Sequence, residues 1–182
     1  MEFAKTDFKD VYLIQPKVFS DNRGFFLESF SSRSFSENGI KCAFVQDNHS
    51  KSIPEGVLRG LHFQKPPYAQ SKLIRVIKGA VLDVVVDLRK SSSTYGQWRS
   101  FELSETNFTM IFVPAGFAHG FLTLQPNTEV QYKVDNFYAP NHDSGIRWND
   151  PVLNISWPVT NPILSDKDGK LPFLSDLESP FQ

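Results

Sequence analysis

The stretch RGLHFQKPPYAQSKLIRVIKG (59–79) sets His62, Gln64 and Lys72 ahead of Gly79. A second stretch, VPAGFAHGF (113–121), carries Pro114, Gly116 and His119. Together they have the layout of a two-part metal motif with two ligands exchanged. In such a motif Gln64 would be His and Lys72 would be Glu. Metal ligation asks for neutral imidazoles and a carboxylate. Gln64 is a poor ligand, and the Lys72 ammonium would repel a divalent cation strongly in a low-dielectric cavity. The residues are therefore read as a pocket without a metal.

What remains suits proton transfer. A histidine titrates near neutrality and can act as a general base. A lysine can stabilise an enolate oxygen, and a phenol on the opposite side can return a proton. Tyr132, in EVQYKVDNFY, is the candidate acid, since alternation puts Val130, Tyr132 and Val134 on one face. A histidine base also needs an orienting carboxylate, and the segment SDKDG (165–169) offers two. Taken singly, each histidine reads as a satisfied core residue and Tyr132 as an ordinary sheet tyrosine. Two histidines and a lysine at matched motif positions favour a site.

These side chains must be carried by strands. VLRGLHFQ, KLIRVIKG, AVLDVVVDLRK, GQWRSFELS, NFTMIFVPAG, HGFLTL and EVQYKVDNFY are short apolar segments punctuated by turns, the pattern of a sandwich or barrel. Alternation on the first puts Gly60, His62 and Gln64 on one face and Arg59, Leu61 and Phe63 on the other. Val81, Asp83, Val85 and Asp87 share a face of AVLDVVVDL; the two acids are expected in an ion pair or on a solvated face. VYLIQPKVF (11–19) reads as a single edge strand because of Pro16. Ser31 to Asn38 reads as a short helix ended by Gly39. In spacing, the two motifs match a cupin barrel. The expected fold is therefore mainly β, a cupin-like double-stranded β-helix (jelly-roll barrel) with small peripheral helices. Residues 1–182 are expected to form a single domain, with 141–182 wrapping the barrel.

The bulk properties exclude other classes. A net charge of −1 provides no global field for nucleic acid or an anionic membrane, and no basic stripe studded with aromatics is present. No apolar run is long enough to span a bilayer, and no secretory signal is evident. The single Cys42 allows no internal disulfide and suits a reducing compartment, so a cytoplasmic location is expected. His49 and His142 hold no motif position.

Several long motifs, in order along nearly the whole chain, resemble the dTDP-4-dehydrorhamnose 3,5-epimerase family. They are VFSDNRGFFLESF, FVQDNHSKS, VLRGLHFQ, QSKLIRVIKGAVLDVVVDLRK, VPAGFAHGF, YKVDNFYAP and GIRWNDP. The resemblance implies cofactor-independent inversion of C3 and C5 of dTDP-4-dehydro-6-deoxy-glucose, within dTDP-rhamnose biosynthesis. It implies His62 as base, Asp168 as its carboxylate partner, Lys72 facing the C4 oxygen and Tyr132 as acid. Arg59, Arg23, Lys167 and His119 match positions that contact pyrophosphate or sugar. Glu28, Gln46 and Asn48 match positions for the nucleotide end, with Asp47 between the last two. Tyr138 matches an aromatic that stacks on thymine, and Phe26 lines the base pocket. Asp143 stands where the family often has the longer Glu. The resemblance also implies a homodimer in which N-terminal strands (within 1–50) are exchanged, so that VFSDNRGFFLESF enters the neighbour's pocket. Rival readings are a mono-epimerase or ketoisomerase on a related nucleotide sugar, a metal-dependent cupin oxygenase, and a non-catalytic sugar-nucleotide binder.

Overall fold

The computed structural model describes residues 1–182. Thirteen strands build two stacked antiparallel sheets and a separate hairpin. The six-stranded sheet runs β1 (Glu2–Lys5), β2 (Tyr12–Gln15), β10 (Met110–Val113), β7 (Lys72–Lys78), β12 (Thr128–Val134), β5 (Gln46–Ser52). The five-stranded sheet runs β13 (Asp143–Gly145), β6 (Leu58–Gln64), β11 (Phe117–Thr123), β8 (Ala80–Asp87), β9 (Trp98–Ser104). Most successive strands from β5 onward switch sheets, which is the winding of a jelly roll. The hairpin pairs β3 (Val18–Asp21) only with β4 (Gly24–Leu27).

Three apolar clusters hold these layers. Between the sheets lie Ile74, Val76, Val81, Val85, Ile111, Phe117, Phe121 and Val130. The outer face of the five-stranded sheet offers Leu61, Phe63, Val84, Val86 and Ala118 to Ile146, Leu153, Ile155 and Phe181 of the C-terminal segment. On the other side, Ile14, Leu73, Met110 and Phe112 pack with Phe35 of helix α1 (Ser32–Glu37). Strand β8 is buried on both faces, so it reads as a nearly continuous apolar run. Helix α1 starts on the Ser31 side chain, which accepts from the Ser34 N–H, and its chain reverses at Gly39, φ +86°.

Two expectations about elements need correction. The 11–19 run breaks at Pro16 into β2 and β3, and β2 lies inside its sheet, between β1 and β10. Proline ends the ladder there because it has no N–H to give. Strands β1 and β13 come from segments whose sequence shows no strand pattern. Both are short and take their place from the neighbours they pair with, β2 and β6. Of the two alternatives expected for Asp83 and Asp87, the structure shows pairing and not a solvated face: both are fully buried, Asp87 in an ion pair with Arg89 and Asp83 against His119.

Candidate active site

The site opens between the two sheets at one end of the barrel. A cavity of about 450 Å³ is lined by His62, Arg59 and His119 from the five-stranded sheet and by Lys72 and Tyr132 from the six-stranded sheet; Lys167 and Asp168 come from the C-terminal segment. A second lobe of about 370 Å³ shares His62, Lys72, Tyr132 and Lys167 and adds Gln46, Asn48, Tyr138 and Asp143. Eleven of the side chains expected at a site therefore converge on one continuous space.

The strand that carries His62 is bent to do so. In the β6–β11 ladder His119 faces His62, but Phe121 faces Arg59, so β6 holds an extra residue. That bulge turns Arg59 onto the same face as His62, against simple alternation. It occurs at Gly60, φ +132°, where a Cβ would lie 2.5 Å from the Cα of Gly120. The bulge also aims the Gly60 N–H at Asp168 Oδ2, 3.4 Å away.

Asp168 sits buried at the start of a 3₁₀ turn (Asp168–Lys170), and its Oδ1 lies 2.6 Å from His62 Nε2. Burial works to raise the Asp168 carboxyl. The hydrogen bond and charge of His62, with contacts from Gly60 and Ser165, outweigh it and hold the group below its ordinary value. An ionised Asp168 can only accept, so His62 Nε2 is the donor of this pair, which leaves Nδ1 as the ring nitrogen available to take a proton from a substrate. Of the two acids in 165–169, the structure thus selects Asp168; Asp166 is exposed.

Across the cavity, burial pushes the Lys72 ammonium down to about 8, against the opposing pull of Asp83 and Asp143. Its nitrogen donates to the His62 carbonyl, 3.3 Å away. Tyr132 is pushed up, chiefly by burial, so the phenol holds its proton at neutral pH. His119 Nε2 lies 2.8 Å from Asp83 Oδ2, a second histidine–aspartate pair and, unlike the first, buried at both partners. Asp83 as a partner for His119 was not evident from spacing; its one signal is a charged residue among valines on the core face of β8.

At the mouth, Arg59 donates to Ser52 Oγ (3.2 Å) and to the Lys51 carbonyl (3.2 Å). Tyr138 presents its ring on the lip and donates its hydroxyl to Asp143 Oδ2 (3.0 Å), which also pairs with Lys167. Four expected residues lie elsewhere in the single chain. Asp47 points outward from β5 and pairs with Lys133 at 2.8 Å, because alternation reserves the inward face for Gln46 and Asn48. Arg23 and Phe26 line a separate concavity on the hairpin, where Arg23 is paired with Asp21, and Glu28 is exposed just beyond β4. Nowhere in the chain do three His, Cys, Asp or Glu side chains gather in a metal-holding group.

Known proteins resemble this chain over nearly its whole length. The family model for dTDP-4-dehydrorhamnose 3,5-epimerase matches residues 5–176. The dTDP-4-dehydrorhamnose 3,5-epimerase of Shigella flexneri is 54% identical over 169 residues, covering 92% of this chain and 93% of that protein. The crystal structure of the same-named enzyme from Bacillus anthracis, with TDP and PPi bound, superposes with a TM-score of 0.93. It is 54% identical, over 95% of this chain and 99% of its own. A dTDP-6-deoxy-D-glucose-3,5-epimerase from Legionella pneumophila, in complex with dTDP-4-keto-L-rhamnose, gives a TM-score of 0.94 at 40% identity, over 100% and 98% of the two chains.

Proposed function

The chain belongs to the dTDP-4-dehydrorhamnose 3,5-epimerase family and is an isomerase, and on that premise we propose how its residues invert C3 and C5 of dTDP-4-dehydro-6-deoxy-D-glucose to give dTDP-4-dehydro-L-rhamnose. The observation that carries the reading is the placing of a base and an acid on different sheets across one cavity. His62, oriented by Asp168, stands on β6; Tyr132 and Lys72 stand on β12 and β7.

His62 removes a proton from a carbon beside the C4 ketone. The electron pair passes to the C4 oxygen, and the Lys72 ammonium stabilises the enolate. Tyr132 then delivers its proton to the same carbon from the opposite side, which inverts it. Solvent returns a proton to the phenolate and takes one from the imidazolium, and the cycle repeats at the second carbon. No electron is lost or gained, so no redox cofactor is required. Arg59, His119 and Lys167 hold the diphosphate end, where charge-assisted hydrogen bonds suit phosphoryl oxygens. Gln46, Asn48, Asp143 and the ring of Tyr138 receive the nucleoside in the second lobe. Arg23, Phe26 and Glu28 complete that lobe from a second copy in a homodimer with exchanged N-terminal strands, and residues 1–182 act as one catalytic unit.

The test is to incubate the protein with the 4-keto-6-deoxy sugar nucleotide in D2O and follow C3 and C5 by NMR. Deuterium at both carbons, with the rhamno product, is the expected result. Label at one carbon alone would make the protein a mono-epimerase. A His62→Ala variant should slow exchange by about 10²- to 10⁴-fold while keeping its circular dichroism. An unchanged rate would remove His62 as the base.

A further inference from the structure

The four residues Asn136–Ala139, which present Tyr138, belong to no strand or helix. Their main-chain groups are held instead by three glutamine side chains from three separate segments. Gln70 Nε2 donates to the Asn136 carbonyl at 2.7 Å. Gln64 Nε2 donates to the Phe137 carbonyl at 3.1 Å, and Gln64 Oε1 accepts from the Ala139 N–H at 2.7 Å. Gln46 Oε1 accepts from the Tyr138 N–H at 3.3 Å. An irregular segment with its backbone pinned residue by residue behaves as a rigid support.

Gln64 is the centre of this cradle. It is 4% exposed, and its amide also donates to the Tyr68 carbonyl at 2.7 Å. Both amide hydrogens are thus spent on backbone carbonyls and its oxygen is engaged by a backbone N–H, leaving one lone pair free. The side chain ties together the 65–68 loop, the Tyr138 segment and strand β6. His62 lies two residues earlier on the same face of that strand. One strand therefore sets both the base and the support of the aromatic platform, and Gln64 fixes the distance between them.

We propose that Gln64 is a positioning residue for the nucleotide end of the substrate, acting through the Phe137–Ala139 backbone to hold Tyr138 in register with His62. The proposal rests on the reading of Tyr138 as the base platform. Gln64→Met keeps the length of the side chain and removes all three hydrogen bonds. The wild type, Gln64→Met, Tyr138→Ala and the double variant are compared for dTDP affinity by calorimetry and for KM and kcat, with circular dichroism as the check on folding.

Gln64→Met should weaken dTDP and raise KM by about tenfold or more, the scale of one or two lost hydrogen bonds, and leave kcat within about threefold. In the Tyr138→Ala background it should cost little more, because the two act as one unit. A fall in kcat with dTDP affinity unchanged would overturn the proposal, as would a full additive loss in the double variant. If Gln64→Met does not fold, Gln70→Met removes only the Asn136 anchor and must show the same split, weaker in size; unchanged dTDP affinity there also overturns it. A wild type that binds no dTDP removes the reading of the site itself. A wild type that binds dTDP while Gln64→Met binds it equally well removes the inference alone.

Discussion

In the proposed mechanism Lys72 can stabilise an enolate only while it is charged, and its surroundings work against that charge. Burial lowers it to about 8 from an ordinary 10.5, and its one hydrogen bond is to the neutral His62 carbonyl. The catalytic rate should therefore fall as pH rises through about 8, with the loss following the deprotonation of this group. The stability consequence has the opposite sign. Between pH 8 and 10.5 the unfolded chain still holds the proton that the folded protein has released, so this group's contribution to stability improves as pH rises through that window. Lys72→Met should melt higher than wild type at pH 7, and the gap should narrow by pH 10. Its activity should drop by about 10²- to 10³-fold. A lower melting temperature for Lys72→Met at pH 7 would mean that the cation is well compensated. That His62, Lys72, Tyr132 and Asp168 would meet in one cavity was legible in residue type and motif position, with the choice of Asp168 coming from the resemblance. The Asp83–His119 pair was not legible, because only the fold brings β8 and β11 side by side.

At the scale of the element, the site depends on two strands approaching more closely than side chains allow. A Cβ on Gly120 would lie 2.6 Å from the Arg59 carbonyl and 3.0 Å from the Gly60 Cα. Both obstacles are backbone, so relief requires β6 and β11 to part. Gly120→Ala should destabilise the protein by about 1–3 kcal/mol, the usual scale of overpacking, and shift its urea midpoint down. Because the same contact sets His62 against His119 and turns Arg59 inward, turnover should fall by more than the unfolded fraction explains. An unmoved midpoint would show that the strands separate freely. The bulge explains what alternation could not supply. Period-2 reasoning assigns faces correctly along β7, β8 and β12, where the ladders are regular over the functional residues. It fails at Arg59 because one extra residue reverses every face beyond it. A glycine in a strand hints at such a bulge, but its register is decided by the partner strand.

For the whole molecule, the hairpin β3–β4 is the part that the single chain leaves unfinished. It pairs with neither sheet, and Phe19, Phe25 and Phe26 are 53%, 59% and 70% exposed. Only Phe25 meets another ring, that of Phe108 at 4.9 Å. A lone two-stranded hairpin is marginal in water, and each phenylalanine gains about 1.5–3 kcal/mol when fully buried. Arg23 and Phe26 stand on this hairpin, away from His62 in their own chain. A second copy that takes up the hairpin would both cover the exposed rings and bring Arg23 and Phe26 to the pocket where the proposed function needs them. Sedimentation should then give twice the chain mass of 20.7 kDa. Complementation tests the exchange directly. Arg23→Ala and Arg59→Ala should each be nearly inactive when alone. When the two are unfolded together and refolded, a mixed dimer with exchanged hairpins joins the intact Arg59 of one chain to the intact Arg23 of the other at one of its sites. Random pairing makes about half of the dimers mixed, each with one intact site of two, so about a quarter of wild-type activity should return. A dimer that keeps each hairpin over its own pocket would return none, since every site would still lack one arginine.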